Sequence, residues 1–162
     1  MHKRGFWTVF FAFVLVFSLP FSSCGGEKRG TRELLSDFLA LYGAEGGSIY
    51  TSGAQEHNGE YLTEEKADLL YLEENGENAL FLCKEYALYF SPSFSGGEVG
   101  FFRTESRADA VRVQQMLQAR ILRLERSGAV TGTAFLLTYG QDAVLICLPN
   151  AELAREICDR LY

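Results

Sequence analysis

From residue 31 onward the apolar positions follow two periods. Leu34, Leu35, Phe38, Leu41 and Tyr42 recur three or four apart, which predicts a helix over 31–42 with Thr31 at its N-cap and Gly43 at its end. Thr63 opens a second, shorter helix over 64–72, with Glu64 and Glu65 in the first turn where the helix dipole favours them. Residues 43–60 hold five glycines and a brief apolar touch at Ile49-Tyr50, and read as an extended loop. After residue 79 the texture changes. Tyr86–Phe90 and Glu98–Thr104 read as strands, joined by a turn over 91–97. Ser106 then caps the longest helix, about 107–126, whose stripe is Ala110, Val113, Leu117, Ile121 and Leu124. Strands over 132–139 and 143–148 follow, with Gly140-Gln141-Asp142 as a tight hairpin. Asn150 caps a last helix over 151–161, with Leu153, Ile157 and Leu161 on one face.

This order predicts an α+β fold: an antiparallel sheet of about four strands in β-β-α-β-β-α order, with one or two extra N-terminal helices. The two N-terminal helices are the elements available to cover an edge or a face of the sheet.

The first 23 residues have a different texture. His2, Lys3 and Arg4 make a short basic start, and residues 5–19 carry no charge. That run falls short of the about 20 apolar residues of a membrane span, and suits the core of a secretory signal. Pro20 ends it, and Ser22 and Ser23 precede Cys24. Here the chain resembles a bacterial lipoprotein signal peptide, in which small residues and then Cys close the apolar run. Phe21 stands where that family usually has Leu, Val or Ile. The resemblance implies a diacylglyceryl group on the Cys24 thiol and cleavage just before it. A plain thiol after an ordinary cleavage site, or an uncleaved N-terminal anchor, are the alternatives. Residues 25–30, Gly-Gly-Glu-Lys-Arg-Gly, have the composition of a flexible tether. The expected organisation is signal peptide 1–23, tether 24–30 and one α+β domain over 31–162.

Removing residues 1–23 leaves 139 residues, enough for one domain. It also takes away Lys3 and Arg4 and moves the formal charge from −6 to −8. An acidic exported domain argues against nucleic acid as a partner. With Cys24 set aside, Cys83, Cys147 and Cys158 remain, so at most one disulfide forms within the chain. The three read as small buried hydrophobes; Cys147 and Cys158, on a strand and the helix that follows it, are the two that can approach each other. His57 is the one histidine after the signal, which excludes multi-histidine metal sites. Glu56, His57 and Glu60 share a polar loop: they can hold a cation loosely, or His57 is simply an exposed loop histidine. Residues 45–77 carry nine acids and one lysine, an acidic patch.

Over about residues 84–160 the chain also looks like a family of small lipoproteins of Gram-positive anaerobes that lack an assigned activity. The residues that carry this are the strand Gly97-Glu98-Val99-Gly100-Phe101-Phe102-Arg103-Thr104 leading into a long helix, then the hairpin and apolar strand of 132–148. The resemblance implies architecture and location, and no mechanism.

Candidate chemistry is sparse. Gly-x-Gly occurs nowhere, and no serine nucleophile elbow is present. On a helical wheel Arg112, Arg120, Arg123 and Arg126 fall within about 120° on the side away from the apolar stripe, with Met116 among them. Such a face holds carboxylates, phosphates or an acidic partner, or it is a solvated face pairing with the chain's own acids. Aromatics including Tyr50, Tyr61, Tyr71, Tyr86, Tyr89, Phe90 and Phe94 can line a groove or serve as core. The expected function is a lipid-anchored, non-catalytic binding or scaffolding domain at the cell envelope, on the extracytoplasmic face of the membrane. Its partners would be the membrane, through Cys24, and an envelope protein; no cofactor or metal is expected. The alternatives are an envelope hydrolase using carboxylates and an accessory ligand-binding module of a transporter.

Overall fold

The computed structural model describes residues 28–73, 76–92, 97–128 and 132–162. The signal-like run, Cys24 and Phe94 lie outside the described residues. The element order is α1 (Thr31–Tyr42), β1 (Ser48–Thr51), α2 (Glu64–Tyr71), a 3-10 turn (Ala79–Leu82), β2 (Cys83–Phe90), β3 (Glu98–Thr104), α3 (Arg107–Ser127), β4 (Thr133–Tyr139), β5 (Asp142–Leu148) and α4 (Ala151–Leu161).

The fold is α+β, with four helices and one antiparallel sheet. The sheet has five strands rather than four, in spatial order β1-β2-β3-β5-β4. The added strand is β1, within the stretch expected to be a loop. It pairs with the far half of β2, Ser48 opposite Phe90 and Thr51 opposite Ala87. β3 and β4 both run antiparallel to β5, so α3 carries the chain from β3 across β5 to the edge.

Side chains alternate across the pleat, so the sheet has two apolar faces. Ala87, Tyr89, Val99, Phe101, Val144 and Ile146 face α1 and α4, where Phe38 and Ile157 complete the core. Leu88, Phe102, Ala143 and Leu145 face α2, α3 and the 3-10 turn, where Tyr71, Leu80, Met116 and Leu117 pack. The molecule is therefore a three-layer α/β/α sandwich. β3 and β5 lie in its middle and are buried along their whole length.

Local chemistry accounts for most boundaries. Thr63, Ser106 and Asn150 accept from the backbone amides of Lys66, Asp109 and Leu153, the N-caps expected for α2, α3 and α4. Gly43 and Gly128 end α1 and α3 in the left-handed conformation that glycine adopts without strain. α1 differs. Thr31 lies inside the helix and is buried, Gly30 holds the cap position, and neither caps through a side chain. The Thr31 amide instead donates to Glu85 Oε2 of β2 at 3.1 Å, a cap supplied from 54 residues away.

Candidate functional site

Arg112, Arg120, Arg123 and Arg126 of α3 do not form one open face. α2 packs alongside α3, so the flank that a single helix would give to water is partly covered, and Met116 is fully buried there. Arg120 turns inward. Its Nε and Nη2 donate to Glu98 Oε2 at 3.1 and 2.7 Å, while the Tyr71 hydroxyl donates to Glu98 Oε1 at 3.1 Å. Glu98 is buried at the start of β3, so this triad ties α2, α3 and the sheet together. Burial lowers the Arg120 pKa, the facing carboxylate of Glu98 outweighs it, and the net shift is upward. Arg123 donates to the carbonyls of Leu70 and Leu72 at 2.6 Å each and so closes the C-terminal end of α2. Burial and the neighbouring Arg120 lower its pKa. Arg112 reaches out to pair with Glu77. Arg126 is exposed in the last turn of α3. Three of the four thus hold the chain's own groups: Arg112 and Arg123 hold an acid and two carbonyls of the 68–77 region, and Arg120 holds Glu98 at the start of β3.

A second polar cluster lies at the end of the sheet where α1 begins and α4 ends. Arg103, the penultimate residue of β3, forks onto the buried Asp142 with contacts of 3.0–3.3 Å and reaches Glu85 at 3.4 Å. The hydrogen bond to Asp142 raises the Arg103 pKa above its ordinary value. Lys28 Nζ adds a contact to Asp142 Oδ1 at 3.1 Å. Arg29 pairs with Asp37 of α1 at 2.9 Å and donates to the Leu161 carbonyl at the end of α4. Tyr162 stacks on Tyr139 beside this cluster, with ring centroids 4.0 Å apart. Residues 28–30, counted above with the tether, are therefore part of the folded body.

Beside α2 the surface opens into a hollow of about 210 Å³ lined by Ser48, Tyr50, Leu62, Lys66, Leu70 and Phe90. Leu69 stands at its rim, 79% exposed. At that volume this hollow falls below the about 300–1,000 Å³ typical of metabolite pockets. Lys66 lies over the Tyr50 ring at 5.3 Å from its centroid and gives the mouth a positive charge.

The loop residues carry no assembled site. His57 adopts φ 74° and is exposed. Glu60 is engaged by Arg32 through contacts of 2.6 and 3.0 Å, which lower its pKa and turn it to an arginine rather than to a cation shared with His57. Among the described residues no three His, Cys, Asp or Glu side chains converge as a metal would need. All three described cysteines are free. Cys158 packs in the core between the sheet and α4, whereas Cys147 alternates with Ile146 and Leu148 and points toward the α3 side, near Glu98 and Arg120. The sheet itself separates the two sulfurs. No described helix is long and apolar enough to cross a membrane.

Little of this was legible as a site in advance. Glu98 and Arg103 did carry a signal: each is a charge at one end of a strand that is otherwise apolar. Such charges need partners when the strand is central. Comparison with known proteins finds no matching family model, no matching curated protein and no matching solved structure.

Proposed function

We propose that the protein is a lipid-anchored extracytoplasmic domain that binds or scaffolds at the cell envelope. The observation that carries this reading is the order of the first 24 residues: a basic start, an uncharged apolar run, Pro20, two small serines and then Cys24. In the proposed modification the Cys24 sulfur bonds to the glyceryl carbon of a donor phospholipid, the thiol proton leaves, and the phosphate headgroup is displaced. Hydrolysis of the Ser23–Cys24 peptide bond then frees the new α-amine. Two or more acyl chains make such an anchor stable.

Two features of the folded body favour binding over carboxylate hydrolysis. The buried acids Glu98 and Asp142 each hold an arginine, so neither is presented to a substrate. The hollow beside α2, with Leu69 at its rim, gives a partner a place to seat an apolar side chain. The test is incorporation of a labelled fatty acid. The wild-type chain should take up label, and Cys24→Ser should take up none and keep the mass of the unprocessed chain. Equal labelling of both, or of neither, overturns the reading.

A further inference from the structure

We infer that the pole of the domain where α1 begins and α4 ends lies against the bilayer, and that the opposite pole faces away from it. The inference rests on lipidation of Cys24 and adds orientation to it.

The carrying observation is how early the body takes hold of the chain. Lys28 is bound to Asp142, and Arg29 is bound to Asp37 and to the Leu161 carbonyl. These contacts join the chain to β5, α1 and α4 at once. Only three residues, 25–27, lie between Cys24 and Lys28. Four Cα–Cα steps reach at most about 14 Å even when fully extended. A domain of about 130 residues has a radius of gyration near 14 Å and is about 35 Å across.

The register of the sheet defines the two poles. Cys83 pairs with Thr104, Arg103 with Asp142, and Tyr139 with Asp142, so the start of β2, the end of β3 and the β4–β5 hairpin share the pole of Lys28. Ser48 pairs with Phe90, Phe90 with Glu98, and Glu98 with Cys147, so the α1–β1 connection lies at the other pole. The eight residues of β2 span about 26 Å between them. To set the far pole on the bilayer, Lys28 would have to stand roughly that far above it, about twice what four residues reach. The short connection therefore leaves the far pole to the envelope. The hollow beside α2 opens at Ser48 and Phe90, nearer that far pole, where an envelope partner can reach it.

The test uses the full-length lipidated chain in vesicles carrying a short-range energy acceptor on their headgroups. A fluorescent unnatural amino acid is placed at Gln141, in the hairpin of the near pole, or at Glu45, in the far connection; both positions are exposed. Given the separation of about 26 Å along the strands, transfer should be at least about twofold greater from Gln141 than from Glu45. A Gly/Ser insertion of about 20 residues after Glu27 adds a root-mean-square reach of about 25 Å, and should bring the two signals together. Equal transfer from both sites at native length, or greater transfer from Glu45, overturns the orientation while leaving lipidation intact. Absence of lipid on Cys24, read by mass in the same preparation, overturns the anchor and the orientation with it.

Discussion

Glu98 keeps 1% of its surface exposed, so its charge is neutralised inside the protein or it is expensive to hold there. Arg120 and Tyr71 do this. Arg120→Leu leaves the carboxylate buried without its cation and should cost about 3–5 kcal/mol in urea unfolding. Adding Glu98→Leu and Tyr71→Phe to the same chain should recover most of that loss, because an apolar replacement leaves nothing unpaired. A loss under about 1 kcal/mol for Arg120→Leu would contradict the role given to the triad. The thiols give a pH prediction. Burial pushes Cys83 and Cys158 up to about 12 and Cys147 up to about 11. In the folded chain they stay protonated above the ordinary thiol range, and the unfolded chain releases those protons first. The stability they contribute is complete below about pH 8.5 and is lost as pH rises toward 11–12. Alkylation at pH 8 should be slow until the chain unfolds, and unfolding midpoints should fall from pH 9 upward. Rapid alkylation of all three in the native state would contradict this burial. The placement of Cys147 shows what a linear reading lacks. A strand and the helix that follows it usually pack together, but strand parity sends Cys147 through the sheet to the face away from Cys158.

Among the elements, α2 depends on a neighbour more than the others do. It has eight residues, too few to be stable alone, and Arg123 of α3 holds its last carbonyls. Arg123→Ala should speed hydrogen exchange in 64–71 about tenfold, with α3 and the sheet little changed. Uniform acceleration throughout the protein, or none in α2, would contradict that assignment. The elements with strong internal periodicity and caps were legible: α3, α4, and the β4–β5 hairpin, whose two-residue turn carries Gly140 at φ 67°. β1 was not. Its four residues become a strand only because β2 lies beside them. The enabling feature is Gly47, at φ 85°, where an added Cβ would stand 2.4 Å from the Phe90 carbonyl oxygen. A Gly-Gly step before Ser-Ile-Tyr-Thr marks the close approach, but its partner strand begins 35 residues later. A helical wheel of α3 alone shows an arginine face, but its true surroundings depend on α2, which no helical wheel contains.

At the scale of the whole molecule, the described chain is a sheet clamped between two helical layers, with its two charged clusters at opposite ends. Glu98 and Arg120 lie at the far end of β3, and Arg103 and Asp142 at the near end. The near cluster also holds Lys28 and Arg29, so both belong to the folded body. Composition suggested a tether through Gly30, because glycine and charge are all that it registers there. The contact from Lys28 to Asp142 spans 114 positions and is visible only in three dimensions. Lipid anchoring by so short a connection is the central claim. The most direct test is the mass of the N-terminal peptide from protein purified out of native membranes. That peptide should begin at Cys24 and carry a diacylglyceryl group. A peptide that begins at Cys24 without lipid, or one that retains Met1, would contradict that claim.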